Sequence, residues 1–169
     1  MRRPVIGVLT ISVLVAATLA FAVPAGGKKG SKTDPQVKRS TLFSTLLGHS
    51  EVSPTAKKGA GDPDARGTFT GLIVGDQFCF GITTTELATP TGAHVHRGKK
   101  GRSGPVVIPL TPPSAGDPGA SSGCVSVDPA LLDQLAQHPK RFYANVHTGE
   151  FPGGAIRGQL FHANPGQGR

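Results

Sequence analysis

The sequence predicts an all-β domain, a Greek-key β-sandwich or barrel with one short helix. The 169 residues include 24 Gly and 15 Pro, which separate short runs rich in β-branched and aromatic residues. Runs of this kind, divided by turn residues, are typical of many short strands joined by tight connections. Once a targeting segment and a linker are set aside, enough chain remains for one domain of ordinary size.

Residues 1–25 have the pattern of a signal peptide or an N-terminal membrane anchor. Two arginines precede an uncharged apolar run over residues 5–23, as in the charged and apolar regions of a secretory signal. Small residues at the end of the run form a candidate cleavage site, but its length also approaches the roughly 20 residues that span a bilayer. We therefore expect a secreted or cell-surface protein, which contacts the membrane only if this segment is retained.

Residues 26–39 combine Gly, Lys, Ser, Asp and Pro without periodic apolar positions. This composition predicts a basic flexible linker, because it offers too little apolar surface to offset the entropy of ordering. The predicted β domain covers residues 40–163, and residues 164–169 form a tail.

Within the domain, turn residues separate eight predicted strands. Between the second and third strands, Gly75 and Asp76 tolerate turn dihedrals, which indicates a hairpin. In the third strand, Phe78 and Phe80 share the core face while Cys79 points outward, since successive side chains alternate across a strand. The eight strands cover residues 41–47, 67–74, 77–84, 93–96, 105–110, 124–127, 141–147 and 155–161.

One segment has helical periodicity. Asp128 is a suitable N-cap, Pro129 suits the first helical position, and leucines follow at 131, 132 and 135. Pro139 ends the segment, so the sequence predicts a short helix within residues 128–139.

Cys79 and Cys124 are the two cysteines of the chain. An exported protein leaves the reducing cytosol, so the two are expected to form a disulfide, which would lie on the outer face of a sheet. Closing the intervening loop stabilises the fold by about 4 kcal/mol on the chain-entropy model. Two separate buried thiols are the alternative, whereas zinc is disfavoured because neither cysteine has a second ligand at finger-like spacing.

The net charge of +8 at pH 7 is concentrated in the linker and in one loop. The cations of the loop predict contact with an anionic cell-surface polymer or an unknown protein partner, and solvated surface charge is the alternative interpretation. No aromatic ladder accompanies them, so specific nucleic-acid binding is not expected. The candidate polyanion contacts are Arg97, Lys99, Lys100 and Arg102.

The C-terminal run NVHTGEFPGGAIRGQL, residues 145–160, resembles the closing signature of the CHRD domain, which is named after animal chordin. Three further segments occur in that family's order: EVSP at 51–54, AHVHRG at 93–98 and GPVV at 104–107. The resemblance covers residues 41–161 and implies an extracellular β-sandwich or immunoglobulin-like barrel. It does not extend to growth-factor binding, because the cysteine-rich modules that accompany this domain in chordin have no counterpart in this sequence.

Three histidines form a candidate metal site. His94 and His96 project from one face of a predicted strand, and His147 lies on the outer face of another. Two imidazoles at this spacing suit copper or zinc, and a third from a neighbouring strand would complete an open site. The alternative interpretation is a structural hydrogen-bond network around the turn at residues 148–154, without a cofactor.

The histidine pattern also resembles, distantly, the copper strands of copper-zinc superoxide dismutase, so the barrel is expected to be immunoglobulin-like or superoxide-dismutase-like. In that enzyme too, a later Val-His is followed by a Gly-rich segment and an arginine. Arg157 resembles that arginine. A bridging histidine or zinc-loop carboxylate is not evident. Arg157 itself suits a buried carboxylate or loop carbonyl groups, and Glu150 is the expected partner.

The sequence contains neither a Walker phosphate loop nor a His-Glu-x-x-His zinc motif. Together with the export pattern, this predicts a non-enzymatic extracellular or cell-surface module with a binding or structural role. The alternative is a copper- or zinc-binding domain with a redox role.

Overall fold

The computed structural model describes residues 39–53 and 59–163. The predicted targeting segment, residues 26–38 of the linker and the C-terminal tail lie outside the described residues. In the described part, no helix is long and apolar enough to cross a membrane. The strands are β1 (Arg39–Leu47), β2 (Arg66–Val74), β3 (Gln77–Thr85), β4 (Pro90–Arg97), β5 (Val106–Leu110), β6 (Gly119–Ser126), β7 (Phe142–Thr148), β8 (Ile156–Gln159) and β9 (Phe161–His162).

Eight of these strands form one antiparallel sheet in the order β5-β4-β7-β8-β1-β2-β3-β6, and β9 pairs with β1. The hydrogen-bonded path is continuous, and the sheet curls into a nearly closed barrel. This confirms the all-β prediction and favours a barrel over two separate sheets. Between β6 and β7 the chain forms helix α1 (Pro129–Gln137) and a 3-10 turn (Pro139–Arg141).

Strands β2 and β3 alternate between buried and more exposed residues along their length. Phe69 and Phe78 stack with ring centroids 6.3 Å apart, and both are fully buried. Phe80 and Ile82 continue this buried face of β3, as the period of two predicts. The predicted hairpin joins the two strands at Gly75, whose φ of +63° is a conformation that glycine adopts without strain.

Cys79 on β3 and Cys124 on β6 lie directly opposite each other and form a disulfide, with Cα atoms 3.9 Å apart. The bridge is on the outer face, because Phe78 and Phe80 occupy the core face of β3. Since β6 is at one end of the sheet order, the bridge fastens an edge strand to its neighbour. The predicted disulfide and its position are confirmed.

Most strands differ from their predicted bounds by a few residues at most, and the largest differences are in the sixth and the last. Strand β6 begins at Gly119 because the backbone of residues 119–123 pairs with β3, although these Gly, Ala and Ser side chains carry no hydrophobic pattern. The predicted last strand, residues 155–161, divides into β8 and β9 at Leu160. The Leu160 amide donates to Phe142 O at 3.0 Å, and its side chain is buried in the core.

Helix α1 is the predicted short helix. The Asp128 carboxylate accepts hydrogen bonds from two amides of the first turn at 2.8 and 3.2 Å, which satisfies donors that have no partner within a helix. Leu132 and Leu135 are buried in the main hydrophobic core. The apolar face of the helix therefore packs onto the barrel.

Candidate functional site

Strands β4 and β7 are neighbours, and their register brings three histidines to one face. His94 lies opposite Asn145, and His96 lies opposite Tyr143. His147 follows Asn145 by two residues on β7 and therefore projects from the same face. The residues between them face the core and are almost fully buried. The two strands are thus adjacent, as the metal hypothesis requires.

The three imidazoles form one cluster. His94 Nδ1 lies 3.1 Å from His147 Nε2, and the ring centroid of His94 is 5.6 Å from that of His96 and 5.0 Å from that of His147. One donor nitrogen from each ring lies within 4.8 Å of the other two. The expected proximity of the histidines is confirmed, while binding of a metal ion stays a prediction.

Two of the rings are oriented by backbone carbonyl groups. His96 Nδ1 donates to Gly104 O at 2.9 Å, and His147 Nδ1 donates to Pro152 O at 3.0 Å. A carbonyl oxygen only accepts, so Nδ1 of each ring carries a proton, and in the neutral form of such a ring Nε2 holds the lone pair. His147 Nε2 also lies 3.1 Å from Asn145 Oδ1. Hydrogen bonds to the turn at residues 148–154 are therefore part of the cluster, as the structural interpretation expects.

The surroundings of two rings favour neutral imidazole. Burial lowers the pKa of His94, and the neighbouring His147 and His96 lower it further. Burial also lowers the pKa of His96, although the hydrogen bond to Gly104 O raises it in part. Neutral imidazole is the form that binds metal ions, so both shifts keep nitrogen lone pairs available near neutral pH.

Beside the histidines, Arg157 and Glu51 form a buried ion pair. Arg157 Nη1 lies 3.6 Å from Glu51 Oε1, and the two side chains are 2% and 4% exposed. The prediction of Glu150 as the partner is wrong, because Glu150 is exposed and Glu51 folds back over the sheet from the loop after β1. Glu51 Oε2 also accepts from Asn145 Nδ2 at 3.5 Å, which connects the ion pair to the histidine face.

The Tyr143 ring contacts both groups. It stacks on His96 with centroids 4.8 Å apart and planes 7° apart, and Arg157 Cζ lies 3.4 Å from the Tyr143 ring centroid. The Tyr143 hydroxyl accepts from Gly104 N at 3.3 Å. Burial raises the pKa of this phenol, which keeps it neutral. Tyr143 therefore supports the His96 ring and the loop that contains Gly104 at the same time.

A family model described as the CHRD domain matches residues 42–160. The chain belongs to the CHRD-domain family. The match confirms the resemblance drawn from the C-terminal signature and includes the ion pair and all three histidines. CHRD domains are generally non-enzymatic binding modules, and the family and the disulfide together point to an extracellular location. No curated protein and no solved structure matches the chain.

The basic loop of this CHRD domain, residues 98–105, has a backbone that is held by two side chains of β8, Arg157 and Gln159. Arg157 Nη2 donates to Arg102 O at 2.7 Å and to Lys99 O at 3.3 Å. Gln159 Nε2 donates to a third carbonyl, at the start of the loop, at 2.7 Å. These carbonyl groups point toward the barrel, and the Lys99, Lys100 and Arg102 residues are exposed.

Arg97 differs from the other three predicted polyanion contacts. Its guanidinium donates to Gln134 Oε1 of helix α1, and Arg97 Cζ lies 5.0 Å from the centroid of the Phe142 ring. Arg97 therefore supports the packing of the helix beside the sheet.

A groove of about 360 Å³ lies next to the basic loop, with Lys100 and His49 among its lining residues.

Residues 119–123 of this CHRD domain have the Gly-x-Ser-x-Gly spacing of a hydrolase nucleophile elbow. Such an elbow is a sharp turn from a strand into a helix. Ser121 instead lies within the extended strand β6, opposite Ile82 of β3. The spacing therefore does not form an elbow in this fold.

Sequence reasoning missed Glu51, Tyr143 and Asn145. The last two could have been found, since they alternate with core residues of β7 and so share the face of His147. Glu51 could not, because it lies in a loop, and no periodicity predicts where a loop crosses the outer face of a sheet.

Proposed function

We propose that this CHRD domain is an exported, non-enzymatic binding or structural module that contacts an anionic polymer at the cell surface through its basic loop. The observation that carries the proposal is the arrangement of that loop: its carbonyl groups are bound by Arg157 while Lys99, Lys100 and Arg102 extend into solvent. The family, the disulfide and the apolar N-terminal run support the extracellular setting.

A polymer fits this surface better than a small anion. One exposed ion pair contributes only about 0–1 kcal/mol in water, so a single phosphate or carboxylate gains little. Several cations on one loop can bind several charges of one chain, and each contact after the first is intramolecular. Residues 97–105 contain four cations and neither Asp nor Glu, so every charged side chain of this segment is positive.

The anchored backbone favours the same role. A loop that is already ordered loses less conformational entropy when a ligand binds. Arg157 acts here as a positioning residue, because it is 2% exposed and reaches the loop carbonyls but not the solvent. The polymer would therefore contact the exposed cations of the loop and not the guanidinium of Arg157.

The experiment measures binding of tag-free mature protein to dextran sulfate, with neutral dextran as the control polymer. We expect binding to dextran sulfate that weakens as salt concentration rises. In a triple variant, Lys99→Gln, Lys100→Gln and Arg102→Gln, the loss of about 0.5 kcal/mol per contact lowers the affinity about tenfold. Equal binding of the two polymers, or an unchanged triple variant, would contradict the proposal.

Two matched controls separate the loop from net charge. The charge-preserving variant Lys99→Arg, Lys100→Arg and Arg102→Lys should keep most of the affinity. Arg66→Gln removes one exposed cation from β2, where Arg66 pairs with Glu86 at 3.8 Å, so Lys100→Gln should weaken binding more than Arg66→Gln does. An equal effect of the two single variants would show that net charge alone governs binding.

A further inference from the structure

We infer that His94, His96 and His147 bind one divalent transition-metal ion, Zn²⁺ or Cu²⁺, through three imidazole nitrogens with one coordination position left open. This site goes beyond polymer binding and does not depend on it. Three features of the cluster support it: the carbonyl groups behind two of the rings, the buried His96 Nε2 atom, and the separation of the donor atoms.

The first feature is the pair of carbonyl groups behind the rings. Metal-binding histidines usually donate their other N–H to a carbonyl or carboxylate, which fixes the orientation and tautomer of the ring. Gly104 O and Pro152 O accept the Nδ1 protons of His96 and His147 in this way. In the neutral rings both Nε2 lone pairs then point away from these carbonyl groups, and the lone pair of His147 accepts from His94 Nδ1.

The second feature is the buried His96 Nε2 atom and its neighbouring acceptor groups. His96 Nε2 is buried and makes no hydrogen bond of ordinary geometry within the described residues, although the Asn145 side chain lies beside the ring, and such an arrangement is destabilising for a polar atom. His147 Nε2 lies 3.1 Å from Asn145 Oδ1, which is also an acceptor because the amide nitrogen of Asn145 donates to Glu51. A metal ion bound to both Nε2 atoms would give His96 Nε2 a partner and would replace the His94 N–H that His147 Nε2 accepts.

The third feature is distance. A tetrahedral ion about 2.0–2.1 Å from each nitrogen holds the nitrogens about 3.4 Å apart. His94 Nδ1 and His147 Nε2 are already 3.1 Å apart, and the three donors lie within 4.8 Å of one another. The remaining adjustment, on the order of 1 Å, is available to His94, which is half-buried and bonds to the His147 side chain instead of a backbone group. When His94 Nδ1 becomes a ligand, the proton of that neutral ring moves to Nε2.

The donor set decides the class of ion. Imidazole nitrogens suit Zn²⁺ and Cu²⁺, whereas Mg²⁺ and Ca²⁺ prefer several oxygen ligands. Among the described residues, the group whose donors converge consists of the three histidines, and the Glu51 carboxylate reaches them only through Asn145. Because the three imidazoles are neutral, the bound ion keeps its positive charge. Three ligands also leave one coordination position open for water or an external anion.

The experiment is a titration of tag-free, disulfide-bonded mature protein, first stripped with a chelator and then given ZnCl₂ or CuCl₂ in a calorimeter. We expect one ion per chain, and a Co²⁺-loaded sample should show the intense visible absorption of four-coordinate cobalt. His94→Ala and His147→Ala should each lower the Zn²⁺ affinity at least about tenfold. His138→Ala removes an exposed histidine beyond the end of α1 and serves as the matched control.

Thermal unfolding keeps the test independent of folding defects. His94 is half-buried, so circular dichroism should show a folded His94→Ala variant even where replacement of the more buried His96 disturbs the sheet. Zn²⁺ should raise the Tm of the wild type and of His138→Ala but not that of His94→Ala. Absence of stoichiometric binding for both ions, or equal affinities of His94→Ala and His138→Ala, would overturn the inference. Dextran sulfate binding by metal-free protein, measured in parallel, separates failure of this site from failure of the polymer-binding function.

Discussion

Glu51 Oε1 lies 3.6 Å from Arg157 Nη1 in an ion pair that is almost completely buried. The same guanidinium donates to two carbonyl groups of the basic loop, and the same carboxylate accepts from Asn145 on the histidine face. One pair therefore connects the loop proposed to bind polymers with the cluster inferred to bind metal. Charges removed from water in this way are tolerated when they are paired, because each alone would cost several kcal/mol.

Replacing the carboxylate should destabilise the fold strongly. Glu51→Gln leaves Arg157 buried without a counter-ion, and we expect the free energy of unfolding to fall by about 3–5 kcal/mol. Urea denaturation followed by circular dichroism measures the change. Glu150→Gln is the control, because that carboxylate is exposed and its loss should leave stability nearly unchanged. Similar stabilities of the two variants would mean that Arg157 does not need Glu51.

A methyl group added at Gly154 should disturb the ion pair between Glu51 and Arg157, because it would lie against the Glu51 carboxylate. Gly154 has φ of +136°, and an added Cβ would lie 2.3 Å from Glu51 Oε2. We expect Gly154→Ala to cost about 1–3 kcal/mol from the backbone conformation alone, and more if Glu51 is displaced. The neighbouring Gly153 is the control, since a Cβ there would meet no atom within 4 Å. Equal melting temperatures for Gly153→Ala and Gly154→Ala would contradict this account.

The contrast between two strands shows how much of the fold the sequence predicts. Strand β3 was predictable because Phe78, Phe80 and Ile82 alternate with smaller or polar residues, which is the pattern of one buried face. The first half of β6 was not, because its Gly, Ala and Ser residues are held mainly by backbone pairing and leave no side-chain signal. Hydrophobic periodicity therefore identifies strands that build the core and misses those that cover an edge.

The candidate site, too, contains residues that the sequence predicts and residues that it does not. The histidines were predictable, since His94 and His96 share a face by spacing and His147 belongs to a strand with a clear core pattern. Glu51 was not, because its contact with Asn145 joins residues 94 positions apart in the sequence. That contact depends on the path of a loop, which local patterns do not determine.

The N-cap of α1 offers a test of local stability. The Asp128 carboxylate accepts from two amides of the first turn, so Asp128→Ala should lower the free energy of unfolding by about 1 kcal/mol. Asp128→Asn keeps an oxygen acceptor at the cap and should lose much less. Chemical denaturation of the three proteins measures the difference, and equal losses for Ala and Asn would show that the cap is not the cause.

Loss of the disulfide should have a larger effect. The double variant Cys79→Ser and Cys124→Ser removes a bridge with a sequence separation of 45, which corresponds to about 4 kcal/mol on the chain-entropy model. Denaturant titration of the variant and of the oxidised wild type measures this loss. Thiol labelling of unreduced, denatured wild type checks the starting state, and two reactive thiols per chain there would refute the bridge itself.

The position of the Cys79–Cys124 bridge also affects whether the domain can associate with other copies of itself. A strand at the end of a sheet leaves one row of backbone N–H and C=O groups without partner strands, and such rows are templates for strand exchange and edge-to-edge polymerisation. Strand β6 has mostly small side chains that shield this row poorly. Because Cys124 is covalently joined to β3, β6 cannot detach to pair with a neighbouring molecule and expose the inner edge of β3. Reduction of the disulfide would remove this restraint, so strand exchange between barrels should begin at β6.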